Sequence, residues 1–217
     1  MDYVNRQVNS RTSLQKKKTL NKAIALFDFD GTITRKDTLI EIIKYQRGKL
    51  RLYTGLLILS PVLMLHKLKI LPAKYAKERV LEYFFKGVSL EEFQEKCDDF
   101  AREVLPGIIR PSAFACIQNH LKEDTKVVIV SASGENWLSP WCKQFHLDYI
   151  GTKLEIREGK LSGKIAGKNC NGMEKINRIK SIYNLDNFTV IYAYGDSKGD
   201  LPMLKVSTYP YYRSFNK

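Results

Sequence analysis

Acidic residues are in short supply in this 217-residue chain: 23 Asp and Glu stand against 36 Lys and Arg, a formal charge of +13. That imbalance favours an anionic partner, whether a phosphorylated molecule, an anionic membrane or nucleic acid. Part of it sits at the start, where Arg6, Arg11, Lys16, Lys17, Lys18 and Lys22 face only Asp2. Residues 1–20 are polar and lack apolar periodicity. They read as a flexible basic tail that serves solubility alone or touches a membrane or nucleic acid. Cysteine is scarce too. Cys97, Cys116, Cys142 and Cys170 form no C-x-x-C pair, which excludes a zinc knuckle of that spacing and fits the reduced thiols of a cytoplasmic protein. The N-terminus has no apolar core of a secretory signal. No apolar run reaches the roughly 20 residues of a comfortable membrane span. The longest, residues 52–65 (LYTGLLILSPVLML), is interrupted by Pro61. It suits a core helix, a helix lying in a membrane interface or a short re-entrant segment. Internal repeats, zinc fingers and single-strand-binding signatures are also missing, so no specific nucleic-acid role is expected.

What is present is an ordinary globular composition, 44% hydrophobic and 27% charged, in a chain long enough for one core plus a small subdomain. Three short apolar runs, AIALF (23–27), KVVIV (126–130) and TVIYAY (189–194), lack polar alternation. They suit central strands of a parallel sheet covered on both faces. Each ends in small, hydroxyl or acidic residues: Asp28-Phe29-Asp30-Gly31-Thr32, Ser131-Ala132-Ser133-Gly134 and Gly195-Asp196-Ser197-Lys198-Gly199-Asp200. Open α/β sheets bind ligands beyond the carboxyl ends of their strands, so the three ends point to one shared site.

Between the first two runs no strand is evident, which predicts a helical insertion. Thr38 with Glu41 and Ser89 with Glu92 read as capping boxes, Gly48 as a helix stop, and Pro111 as the first turn of a later helix. Residues 149–165, with Gly151, Gly159 and Gly163, suit a hairpin plus a strand. The expected architecture is α/β: a doubly wound, Rossmann-like parallel sheet core (21–35 and 106–217) with a helical cap (36–105) inserted in it.

Asp28 and Asp30 project to the same side of an extended backbone, and Gly31 permits a sharp turn after them. Two carboxylates held together need a cation or a shared proton. D-x-D-G alone fits such a site or a plain acidic turn. In context, Phe27-Asp28-Phe29-Asp30-Gly31-Thr32 resembles the signature of the haloacid dehalogenase superfamily of phosphohydrolases, and the superfamily's later motifs follow in order. They are the strand ending in Ser131, a later lysine, and Gly195-Asp196-Ser197-x-x-Asp200. The likeness runs from about Ala23 to Leu204. It is strongest to the phosphoserine-phosphatase-like branch (subfamily IB) through residues 130–141, Gly151-Thr152-Lys153-Leu154-Glu155, Gly159-Lys160-Leu161-Ser162-Gly163 and Asn169–Lys175.

The resemblance implies a phosphomonoester hydrolase. Asp28 would be the nucleophile that forms an aspartyl phosphate, and Asp30 the general acid and base. Mg²⁺ would be held by Asp28, the main-chain carbonyl of Asp30 and Asp196, with Asp200 supporting the site directly or through water. Ser131 and Ala132 would bind phosphate, and Lys175 would pair with phosphate and with Asp28. Asp37 and the cap residue Arg79 would contact the substrate. Plainer roles exist for several of these: Ser131, Asp37 and Asp200 as helix caps, Arg79 as an exposed helix residue, Lys175 as one solvated lysine among several.

Two features depart from a phosphoserine phosphatase. Gly199 stands where those enzymes usually carry Asn, and the insertion bears the apolar stretch 52–65 followed by His66, Lys67 and Lys69. Relatives in this branch include phosphatases of the lipid intermediate phosphatidylglycerophosphate. The alternative substrate is therefore a membrane-borne phosphate met at an anionic surface. A non-enzymatic phospho-acceptor or binding module is a third reading. Receiver domains differ, however, in carrying adjacent acids at the first strand.

Overall fold

A computed structural model describes residues 23–215; the basic tail expected at residues 1–20 lies outside the described residues. Strand β1 (Ala23–Phe27) pairs in parallel with β2 (Lys126–Gly134) on one side and β6 (Val190–Gly195) on the other. With β3 (Asp148–Thr152) and β7 (Tyr209–Tyr212) at the edges, the order is β3-β2-β1-β6-β7, all parallel. Alternate residues of β1 enter two separate cores. Ala25 and Phe27 join Val127, Ile129 and Trp141 on one face; Ile24 and Leu26 join Val128, Val130, Ile179 and Met203 on the other. Burial on both sides is why these strands read as unbroken apolar runs.

The register sets Phe27 level with Ile129 and Tyr194, so the residues just beyond all three strands emerge together. Helix α5 (Pro111–Lys122) opens on its proline as expected, α6 (Glu135–Gln144) follows β2, and α7 (Met173–Ile182) precedes β6.

The insertion is helical throughout. It consists of α1 (Thr38–Lys67), α2 (Ala73–Phe85) and α3 (Leu90–Glu103), with the one-turn α4 (Leu105–Ile108) leading back. Phe84, Phe85, Phe93 and Phe100 fill its interior. The chain enters and leaves through two segments tied to each other: Arg35 N–H donates to Ile108 O and Arg110 N–H to Ile33 O, both at 2.8 Å. The antiparallel hairpin of β4 (Leu154–Arg157) and β5 (Lys160–Ile165) projects from the sheet edge and packs on the insertion. Gly87 N–H donates to Leu161 O and Leu90 N–H to Gly159 O, both at 2.8 Å.

Two local readings need correction, the cap of α1 and the far edge of the sheet. Asp37, not Thr38, caps α1, with Asp37 Oδ1 accepting from Ile40 N–H at 3.2 Å. Thr38 is freed for another contact described below. Gly48 does interrupt the helix, as expected: it is non-helical at φ 78° and ψ 161°, and a second helical segment of α1 starts directly beyond it. The edge strand β7 was not expected at all. Ser89 does accept from Glu92 N–H, at 3.2 Å.

Candidate active site

Asp28 leaves β1 with its N–H still bonded to Tyr194 O, at 2.9 Å, and is only 6% exposed. Gly31 turns the chain at φ 82°; a Cβ there would run into the Asp196 carboxylate, so only glycine lets the β1 turn and the β6 end approach this closely. The Thr32 hydroxyl sits between Asp28 Oδ2 and Asp196 Oδ1, 3.3 Å from each.

Lys175, in the first turn of α7, is 1% exposed. Its ammonium donates to Asp28 Oδ1 at 2.5 Å, Asp200 Oδ1 at 2.6 Å and Val130 O at 2.7 Å, which uses all three of its protons. Burial alone would lower its pKa, but Asp28 and Asp200 raise it, so the lysine is held charged. Burial pushes the Asp28 carboxyl up, to about 7, against the pull of Lys175. Asp196 is raised by burial and by Asp200 beside it. Burial would raise Asp200 too, yet Lys175 and the bonds from Ser197 outweigh it and leave Asp200 below its ordinary value.

Asp28, Asp196 and Asp200 each bring a carboxylate oxygen to a cluster within 4.8 Å. Hard oxygen donors of net negative charge suit a magnesium ion. Their availability differs. Asp200 Oδ1 already holds Lys175, and its Oδ2 accepts from Asp196 N–H, Ser197 N–H and Ser197 Oγ at 3.2, 2.9 and 2.7 Å. Asp200 is thus saturated by protein donors and fixes the lysine and the β6 turn. Asp28 and Asp196 are the freer ligands.

Asp30 points elsewhere. Its Oδ1 accepts from Thr38 N–H at 2.9 Å and its Oδ2 from the Ser133 hydroxyl. Ser133 in turn lies 2.9 Å from Thr38 Oγ1, which accepts from Trp137 Nε1 at 3.0 Å. A chain of donors from Trp137 through Thr38 and Ser133 therefore fixes Asp30. Burial, then Asp37 nearby, lifts its pKa to about 6 against these bonds. Ser131 is 1% exposed and accepts from Ser133 N–H at 3.0 Å, so it lies within the β2 end rather than capping a helix. The Ala132 carbonyl accepts from Thr152 Oγ1 at 2.7 Å and from Lys77 Nζ at 2.5 Å.

Lys77 is the main residue that sequence reasoning missed. It reaches down from α2 to the β2 end, and it borders a cavity of about 310 Å³ together with Asp30, Asp37, Ser133 and Asn169. The cavity's other walls are mostly apolar, with Leu39, Ile40, Leu56, Leu63 and Val80 among them and His66 as the polar exception. Arg79 is not in it: its guanidinium pairs with Glu82 and lies 5.4 Å from the Tyr75 ring centre. Residues two apart on a helix diverge by about 200°, so only one of the two cations can face the core. The signal for Lys77 was its place among Ala73, Ala76 and Val80 on the apolar side of α2. Ser133 and Thr38 carried no such signal, since their roles depend on contacts across elements. Asp37 is exposed at the cavity rim while it caps α1. A cavity of about 510 Å³ at the opposite end of the strands, by Ala23, Lys126 and Tyr183, contains none of these groups.

Gly199 has a local explanation. A Cβ on it would collide with Asn171 Oδ1, so the Asn171 side chain fills the space a residue-199 side chain would need.

Comparison with known proteins agrees with this geometry. Residues 25–205 match the haloacid dehalogenase-like hydrolase family. Protein CicA of Caulobacter vibrioides is 31% identical over 194 residues, covering 88% of this chain and 86% of that protein. Histidinol-phosphatase of Neisseria meningitidis serogroup C is 24% identical over 212 residues, covering 87% and 89%. A solved phosphoserine phosphatase in its apo form superposes with a TM-score of 0.60 at 18% identity, covering 85% of this chain and 82% of that one. Matched along nearly its whole described length, with the acidic strand ends and the buried lysine assembled at one site, the chain belongs to the haloacid dehalogenase-like hydrolases.

Proposed function

We propose that the protein hydrolyses a phosphomonoester in two steps at Asp28. The observation that carries this reading is the division of labour between two neighbouring carboxylates. Asp28 is gripped by Lys175 beside Asp196, whereas Asp30 is turned away toward the cavity and held with a raised pKa. An Asp28 oxygen attacks phosphorus while the ester P–O bond breaks, and the leaving oxygen takes the proton of Asp30. Asp30, now a carboxylate, takes a proton from water, whose oxygen attacks the same phosphorus. The P–O bond to Asp28 breaks and inorganic phosphate leaves.

Lys175 keeps Asp28 oriented, and the Ser131 hydroxyl with the main chain at Ala132 binds phosphate oxygens. Asp28, the Asp30 carbonyl and Asp196 would hold Mg²⁺, with Asp200 bracing the site from behind. When bound, the ion supplies positive charge that lets an anionic phosphate approach these carboxylates. Asp37 and Lys77 meet the body of the substrate. The apolar walls of the cavity favour an ester with an apolar carbon body. They support a second reading, in which the ester is a lipid phosphate and the enzyme is cytoplasmic with peripheral membrane contact.

The test is phosphate release by wild type and Asp28→Asn, with Mg²⁺ or EDTA, from aryl phosphate, histidinol phosphate, phosphoserine and phosphatidylglycerophosphate in mixed micelles. We expect Mg²⁺-dependent turnover by wild type and a loss of at least about 10³-fold in the variant. A wild type inert on every ester, or one that accumulates a stable phosphoprotein without turnover, would overturn the reading in favour of a phospho-acceptor.

A further inference from the structure

The second part of α1 is apolar on both sides, and only one side is used by the fold. Leu52, Gly55 and Leu59 are buried against the rest of the insertion. On the opposite face Leu50, Tyr53, Leu57, Ile58, Met64 and Leu68 are 62–79% exposed. At about 100° per residue these six fall within an arc of about 140°, one continuous stripe. Only 17% of the helix's most apolar 18-residue window is buried, the reverse of a core helix in a soluble protein. Exposed apolar surface of this extent marks a contact site.

Charge selects the occupant. No Asp or Glu occurs between Glu41 and Glu78, while Lys49 and Arg51 stand at one end of the stripe and Lys67 and Lys69 at the other, all four exposed. A second copy laid on this face, parallel or antiparallel, would set cations against cations with no acid to pair them. The first 22 residues are themselves basic and match it no better. An anionic lipid surface satisfies both features, with hydrocarbon for the stripe and headgroup phosphates for its ends.

We propose that this face of α1 docks the protein on an anionic bilayer, the helix lying in the plane of the interface. It cannot cross the bilayer while its other face packs on the insertion; Gly55, for example, leaves no space for a side chain against Phe84. Leu56 and Leu63 on the inward side line the cavity next to Asp30, so docking brings the cavity to the interface. That consequence rests on the phosphatase reading; the docking itself does not.

The test is co-sedimentation of the full-length protein with vesicles of phosphatidylcholine alone or with 30% phosphatidylglycerol, at 0.1 and 0.5 M NaCl. Aryl phosphatase activity and solution mass are measured in parallel. The expected result is at least about tenfold stronger binding to the anionic vesicles, weakened by salt. Leu57→Glu/Met64→Glu should lose that binding while keeping aryl phosphate turnover. Lys67→Gln/Lys69→Gln, which leaves the apolar stripe intact, should weaken it by about fivefold or more per lysine. Equal or negligible binding to both vesicles by wild type would overturn the proposal. So would undiminished binding in both variants, or a wild-type dimer that Leu57→Glu/Met64→Glu converts to monomer, which would assign the face to a second copy. Failure of the phosphatase reading would appear separately, as absent turnover with vesicle binding intact.

Discussion

Lys175→Met offers a sharp test of how the site is held together. The ammonium is the shared partner of two buried carboxylates, Asp28 and Asp200, 6% and 1% exposed. Methionine is of similar length and apolar, so little volume is lost, but both acids lose their counter-charge. Removing one partner of a buried ion pair costs about 3–5 kcal/mol. For a domain of this size each kcal/mol moves Tm by about 2–4 °C, so the fall should be roughly 6–20 °C at pH 8 in EDTA. The sign with pH follows from the carboxyls. The Asp28 pKa is already raised to about 7 in the folded protein, so its contribution to stability is present below about 4 and is lost as pH rises through about 7. Without Lys175 it rises further, and Asp200, now held below its ordinary value, is no longer held there. Asp200 is ionised and paired with Lys175 at both pH 5 and pH 8, whereas Asp28 is ionised only at the higher pH, so the deficit of the variant should be smaller at pH 5 than at pH 8. A second change, Asp200→Asn, should recover part of it, because one of the orphaned charges is gone. Thermal unfolding followed by circular dichroism at the two pH values measures all of this. A fall below 2 °C at pH 8, or the same fall at both pH values, would refute the claim that Lys175 balances the two acids.

Two further perturbations separate the chemical step from substrate choice. Asp30→Asn should slow alkyl phosphate turnover by about 10²–10⁴-fold and p-nitrophenyl phosphate much less, since the latter's leaving group needs no proton. In wild type the protonated fraction of Asp30 falls as pH rises through about 6, so alkyl kcat should decline above that pH. Identical losses on both esters, or a flat wild-type alkyl profile, would remove Asp30 from the proton transfer. Lys77→Met should raise KM by about 10- to 100-fold for an ester with a polar or anionic group beside the phosphate, and barely change KM for a plain aryl phosphate, the range expected for one lost charged hydrogen bond. An equal effect on both esters in steady-state kinetics would show Lys77 to be a structural latch on Ala132 instead.

The parts of the fold legible in the sequence are those whose physics is local. β1, β2 and β6 read clearly because strands buried on both faces must be apolar at every position. The insertion read as helical because long stretches had helical spacing and no strand pattern. β7 was illegible for the opposite reason. Its residues Tyr209, Pro210, Tyr211 and Tyr212 are all exposed, so it has no apolar period, and it forms through main-chain pairing with β6 and stacking of Tyr211 on Tyr194 at 4.6 Å. The hairpin was anticipated as a hairpin, but nothing in residues 154–165 says that it packs on α2. Asp28, Asp30, Asp196 and Lys175 were reachable through motif order, and the structure brings them to one end of the sheet.

The substrate side of the site shows where motif analogy and residue physics part. Analogy to phosphoserine phosphatases asks for a cap arginine and leads to Arg79. Helix periodicity leads elsewhere: Ala76, Val80 and Phe84 are buried at i, i+4 and i+8, and Lys77 follows directly beside the first of them, one turn before the buried Leu81. A lysine on that face needs an acceptor, and the one it bonds is a main-chain carbonyl at the end of β2, next to Asp30 and Ser133. Its ammonium therefore keeps donors to spare at the edge of the cavity, where burial lowers its pKa and Asp30 and Asp37 counter the fall. Arg79, facing the other way, pairs with Glu82 within its own helix, while its buried Nε has no hydrogen-bond partner among the described residues. Lys77, not Arg79, is the cation that α2 brings to the cavity, so the Lys77 experiment bears on specificity independently of every test made on Asp28.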